Sequence, residues 1–159
     1  MPMKVALIVV GRTLDKHLDA LIHDYSQRLL HYLPFERIEL PASKAGKVLS
    51  QERQTALEGE LIRQKLRPAD HIILLDEHGK QFRSLDFANH LQGLLSHSSS
   101  RLVFIVGGPY GFSTEIQNLA HEKISLSPMT FSHQMVRLFF VEQLYRAMTI
   151  LRGEPYHHE

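Results

Sequence analysis

The feature that most constrains this chain is the alternation of short, almost wholly apolar runs with longer helical patterns. Lys4 to Val10, His71 to Leu75 and Leu102 to Val106 read as strands with no polar face. Such strands need cover on both sides, and a parallel sheet between layers of helices supplies it. Phe35 to Leu40 and Lys123 to Ser127 complete five predicted strands. Helical spacing fills the intervals. Leu18, Leu21, Ile22, Tyr25, Leu29 and Leu33 form one stripe over 14–33. Leu57, Leu61, Ile62 and Leu66 mark 50–66, and Leu85, Ala88, Leu91 and Leu95 mark 84–95 with Ser84 as the expected N-cap. Ser113 is placed to cap a short helix to Ala120. Val136, Phe140, Leu144, Ala147 and Leu151 mark a last helix over about 133–151. The pattern predicts an α/β fold, a mostly parallel sheet with helices on both faces, in a single domain over 1–159.

Composition narrows the class. The 159 residues are 43% hydrophobic and 22% charged, enough apolar mass for a real core. The absence of cysteine excludes disulfides, thiolate metal sites and cysteine nucleophiles, and it fits a cytoplasmic location. The apolar run at 5–10 is too short for a signal peptide or a membrane span, so no membrane association is expected. A net charge of +1 neither demands nor excludes nucleic acid. The eleven histidines add positive charge below about pH 6.5.

Ligands of open α/β sheets bind beyond the carboxyl ends of the strands. After the first strand, Gly11-Arg12-Thr13 lacks a dinucleotide-binding glycine pattern, and no phosphate-binding P-loop sequence occurs. After the third stands Asp76-Glu77-His78-Gly79-Lys80, expected as a loop. After the fourth stands Gly107-Gly108-Pro109-Tyr110-Gly111-Phe112-Ser113, open to two readings: a backbone that a ligand approaches closely, or a tight turn. Leu126-Ser127-Pro128-Met129-Thr130-Phe131 must bend at Pro128, either as the wall of an adenine pocket or as a buried connection. His133 and Arg137 share a helix face, as do Glu142 and Arg146. Such residues serve as core or surface groups more often than as catalysts. Gly153 and Pro155 end the last helix, leaving a tail expected to fray. His157 and His158 have no companion ligands at metal spacing, so no metal is expected. No Gly-x-Ser-x-Gly elbow exists to support a hydrolase. Lys44 and Lys47 suit either phosphate contacts or solubility.

Five blocks in this order carry a resemblance: Gly107-Gly108-Pro109-Tyr110-Gly111, Leu126 to Phe131, His133-x-x-Val136-Arg137, Glu142 to Ala147, and Pro155-Tyr156-His157. The series resembles the RlmH family of ribosomal RNA large-subunit methyltransferases, over the whole chain. The resemblance implies a SPOUT-type α/β fold with a C-terminal trefoil knot. It implies a homodimer, with S-adenosylmethionine held by Leu75, Gly107, Gly108, Leu126, Ser127, Pro128, Met129, Thr130 and Phe131. The implied reaction is methylation at N3 of a pseudouridine in a stem-loop of large-subunit (23S) ribosomal RNA, on the assembled ribosome. That chemistry requires loss of the N3 proton, which assigns His133 or His157 to proton removal. Arg137, Glu142 and Tyr156 would position the base or the RNA backbone. The chain departs from the family pattern at His158, where a basic residue is expected, and at Ala45 within Ser43 to Lys47. A transfer-RNA methyltransferase of the same superfamily and a catalytically silent ribosome-binding protein are the alternatives.

Overall fold

The computed structural model describes residues 3–42, 49–97 and 101–158. The expectations placed on residues 43–47 lie outside them, because 43–48 are not among the described residues. The elements run β1 (Lys4–Val10), α1 (Lys16–Leu29), β2 (Phe35–Leu40), α2 (Gln51–Lys65), β3 (Asp70–Gln81), α3 (Ser84–Leu95), β4 (Arg101–Val106), α4 (Thr114–Leu119), β5 (Glu122–Ser125) and α5 (Met135–Leu151). The strands form one sheet in the order β2-β1-β4-β3-β5, parallel at every pairing.

Alternation along β1 shows why the runs are apolar throughout. Val5, Leu7 and Val9 pack on one face, with α1, α3 and α5. Ala6, Ile8 and Val10 pack on the other, with Ile62 of α2 and Ile116 of α4. Burial on both faces removes any need for polar alternation.

Several boundaries differ from the sequence expectation. Helix α1 starts at Lys16 because the Asp15 carboxylate accepts from the backbone N–H groups of His17 and Leu18. It stops at Leu29, before Pro34, which favours an extended conformation at the residue ahead of it. Leu21 and Leu57, expected in the apolar stripes, are about half exposed. Ser84 does not cap α3: Arg83 holds the cap position, and the Ser84 hydroxyl donates instead to Gln143 Oε1 at 3.3 Å. Ser113 does cap α4, accepting from Ile116 N at 3.3 Å.

The largest correction concerns the segment after Leu75. It is an excursion within β3 rather than a loop that ends it. Ile124 pairs first with Leu75 and then with Lys80, so residues 76–79 are extruded between two pairings with one partner. Gly79 makes the return possible, since a Cβ there would lie 2.6 Å from the Lys123 carbonyl carbon. Glu122 anchors β5 at its start, contacting His71 Nε2 at 2.8 Å and His90 Nε2 at 2.5 Å. Burial pushes the Glu122 carboxyl pKa up, but these two histidine contacts outweigh it and hold it low.

Candidate cofactor pocket and tail cluster

The carboxyl ends of β4 and β5 and the mid-strand excursion of β3 converge on a cavity of about 510 Å³. That lies within the range of roughly 300–1,000 Å³ occupied by small-molecule sites. Three segments wall it: the 75–78 excursion, the 106–112 turn and the loop after β5. His133 and Val136 close one side. Of the nine residues expected to hold a cofactor, Leu75, Gly107, Gly108, Leu126, Ser127, Met129, Thr130 and Phe131 all line the cavity. Pro128 turns the loop without lining it.

The glycines have distinct reasons. A Cβ on Gly107 would lie 3.0 Å from the Gly111 carbonyl oxygen, inside the turn closed by Gly111 N donating to Gly108 O at 3.1 Å. Gly111 needs its positive φ of 80°. A Cβ on Gly108 would lie 2.5 Å from Glu58 Oε1, a carboxyl buried beneath the turn from α2. So a side chain at Gly108 would have to displace the Glu58 carboxylate, and the tight-turn reading is borne out by the Gly111–Gly108 hydrogen bond. Burial raises the Glu58 pKa against the opposing hydrogen bond from Gln54.

Acidic groups missed by the sequence reading complete the pocket. Asp76 and Glu77 line it, and the Thr130 hydroxyl donates to the Glu77 carboxylate, tying the β3 excursion to the loop after β5. The signal was Asp76-Glu77 directly after a buried strand. Apolar walls, backbone groups and two carboxylates fit a ligand with an apolar ring system and positive charge. S-adenosylmethionine, a sulfonium, is such a ligand.

The five residues assigned to catalysis separate into three places. His133 lines the cavity. Burial lowers its pKa, with the neighbouring Arg137 charge adding to the shift, so the imidazole is neutral at pH 7. Arg137 is fully buried and points away from the pocket. Its guanidinium donates to the carbonyls of Val10 at 2.8 Å and Gly11 at 2.9 Å and to Thr13 Oγ1 at 3.0 Å. In this chain it holds the turn after β1 and presents no face to a base. Glu142, Tyr156 and His157 lie farther along α5 and on the tail, outside the cavity lining.

The tail does not fray. Tyr156 packs edge-on against Tyr145, with ring centroids 4.7 Å apart, and its hydroxyl donates to Glu142 Oε1 at 2.9 Å. Arg146 donates to Glu142 at 2.6 Å, stacks over the Tyr156 ring and approaches His157 Nδ1 at 3.1 Å. The Glu142–Arg146 pair is therefore part of a half-buried cluster and not surface decoration. Burial raises the Tyr156 pKa, and its hydrogen bonds to Tyr25 and Glu142 add to that. Tyr156 is a proton donor in this cluster, not a base. The exposed helix end at Gly153 adopts a positive φ of 66°, as its place after the last helix requires.

Among the described residues no helix is long and apolar enough to cross a membrane. None of their His, Asp or Glu side chains form a group of three able to hold a metal.

A parallel sheet with a loop-built pocket at its carboxyl edge defines a ligand-binding α/β protein. The family described as predicted SPOUT methyltransferase matches residues 3–157, so the chain belongs to the SPOUT methyltransferases and is a methyl-transfer enzyme. Its relatives narrow the likeness. It is 55% identical over 157 residues to the ribosomal RNA large subunit methyltransferase H of Bacteroides fragilis, covering 99% of this chain and 100% of the relative. It is 57% identical to the same enzyme of Phocaeicola vulgatus and 53% to that of Flavobacterium johnsoniae, at the same coverage.

Proposed function

We propose that this protein methylates N3 of a pseudouridine in a stem-loop of large-subunit (23S) ribosomal RNA, acting on the assembled ribosome with S-adenosylmethionine as methyl donor. The observation that carries the reading is the cavity at the β3 excursion and the ends of β4 and β5, lined by eight of the nine expected cofactor residues and by His133. The names of relatives at 53–57% identity and full-length coverage support the RNA substrate. When bound, S-adenosylmethionine supplies an electrophilic methyl group. Gly107 and Gly108 offer backbone to it, Leu126 to Phe131 cover its apolar part, and Asp76 and Glu77 complement its positive charge. His133, neutral and at the cavity wall, takes the N3 proton.

The same reading makes the whole chain one domain whose C-terminal third is a trefoil knot. The family match over residues 3–157 supports this, as does the meeting of the 106–112 and 126–131 segments at one cavity. It also makes the working unit a cytoplasmic homodimer. Glu142, Tyr156 and His157 do not line the pocket of their own chain, so a role for them at the reacting base needs a second copy. The test is incubation with methyl-labelled S-adenosylmethionine and ribosomes lacking the modification, followed by mapping. Label on N3 of one stem-loop pseudouridine is expected. Cofactor binding with no ribosomal label would overturn the substrate assignment.

A further inference from the structure

A second cavity, of about 220 Å³, adjoins the first and shares Leu126 and Phe131 with it. It is too small for a cofactor-sized ligand, for which pockets begin at roughly 300 Å³. Four phenylalanines line it, Phe82, Phe87, Phe131 and Phe139. Phe82 already carries the His90 ring and the Lys80 ammonium and Phe87 is buried in the core, so Phe131 and Phe139 are the rings open to a ligand. Phe131 and Phe139 stand 4.8 Å apart at 42°, and Phe139 is 40% exposed although it is a large apolar ring. Three polar residues, Ser84, Ser125 and Gln143, also line the cavity, and the Ser125 hydroxyl already donates to the Ser127 carbonyl at 2.8 Å. The Gln143 amide donates once, to Glu142 Oε2 at 3.1 Å, and accepts once, from Ser84 Oγ at 3.3 Å. An amide has two N–H donors and two acceptor lone pairs, so one of each stays available to a ligand.

Planar aromatic walls with one donor and one acceptor match the chemistry of a nucleobase. Its faces stack on rings, and its edge presents both N–H and C=O groups. We infer that this cavity receives one unstacked base of the substrate RNA, next to the base that is methylated. The inference rests on the function proposed above. Leu126 and Phe131 line both cavities, so a ring seated in the second lies beside the cofactor cavity and outside it. The seated base is therefore a neighbour that fixes the register of the RNA. Gln143 is itself held by Glu142, whose other carboxylate oxygen accepts from Arg146 and Tyr156.

The test compares the parent with Phe139→Ala, Phe139→Tyr and Gln143→Leu, using unmodified ribosomes and labelled S-adenosylmethionine. Removing one stacking ring is expected to raise KM for ribosomes about tenfold, from the usual worth of base–aromatic stacking. Phe139→Tyr, which keeps the ring, is expected to restore the parental KM, and Gln143→Leu to raise it less than Phe139→Ala. Cofactor Kd and molecular mass in solution should stay at parental values in all three. A parental KM in Phe139→Ala overturns the inference and leaves the function intact. Loss of mass in that variant overturns it in favour of a second copy covering the cavity. Loss of cofactor binding overturns it in favour of one continuous cofactor site. A parent that labels no RNA removes the proposed function, and this inference with it.

Discussion

Two arginines lie fully buried at opposite ends of the same sheet, and they are held in opposite ways. Arg101, at the start of β4, meets the Asp70 carboxylate through two hydrogen bonds, at 3.0 and 2.7 Å, and donates to the Lys65 carbonyl at 2.8 Å. Arg137, at the carboxyl end, is held mainly by neutral groups, with Glu39 only at 3.5 Å. Burial accordingly lowers its pKa, Glu39 opposing and Arg37 adding to the shift. A guanidinium so far above neutrality stays charged at pH 7 regardless. The first end is a charge-neutral structural plug remote from any pocket. The second places the Arg137 guanidinium one helical turn from His133, where its charge helps keep the imidazole unprotonated. One end fixes the fold, and the other tunes the site.

Substitutions at each end separate these roles. Asp70→Ala leaves Arg101 buried without its partner and should cost about 3–5 kcal/mol in denaturant unfolding. Cofactor Kd should remain parental below the new midpoint, and a changed Kd would break the division between the ends. Arg137→Met strands the Val10 and Gly11 carbonyls and should cost about 2–3 kcal/mol. It should also raise the His133 pKa, measurable by imidazole NMR, because the second cause of its depression is removed. An unmoved His133 pKa would show that burial alone sets it. Tyr156→Phe removes the hydrogen bonds to Glu142 and Tyr25 and should cost about 1–3 kcal/mol, leaving cofactor affinity untouched. A weakened cofactor would mean that the tail cluster reaches the pocket.

The sign of the pH dependence follows from the lowered His133 pKa. Between the ordinary imidazole value and the lower folded one, the unfolded chain binds more protons. Stability from this group is therefore present above the ordinary value and is lost as pH falls through the folded value.

Much of the architecture was legible because it is local. β1 falls where a continuous apolar run placed it, β2 spans the expected 35–40, and Ser113 caps α4 as its position before a helical pattern implied. The pocket loops were legible as motifs after strands. What escaped depends on contacts far apart in sequence. The 76–79 excursion exists because β5 returns to pair twice with β3, which no window around Asp76 contains. Arg137 was legible only as sharing a helix face with His133, and the carbonyls and hydroxyl it donates to lie more than 120 residues earlier, at the end of β1 and on the turn after it. The docking of Tyr156 depends on Tyr25, Glu142 and Tyr145 meeting across α1 and α5.

The central claim is that proton removal occurs at His133 on the cavity wall. It is tested most directly by the methylation rate of parent and His133→Ala at saturating cofactor and ribosomes, across about pH 5 to 8. The account predicts a parental rate that holds as pH falls past the ordinary histidine value and declines only below it. In His133→Ala the rate should drop about 10²- to 10⁴-fold, lose that acid limb and keep the parental cofactor Kd. A variant that methylates at the parental rate, with the same pH profile, would contradict it.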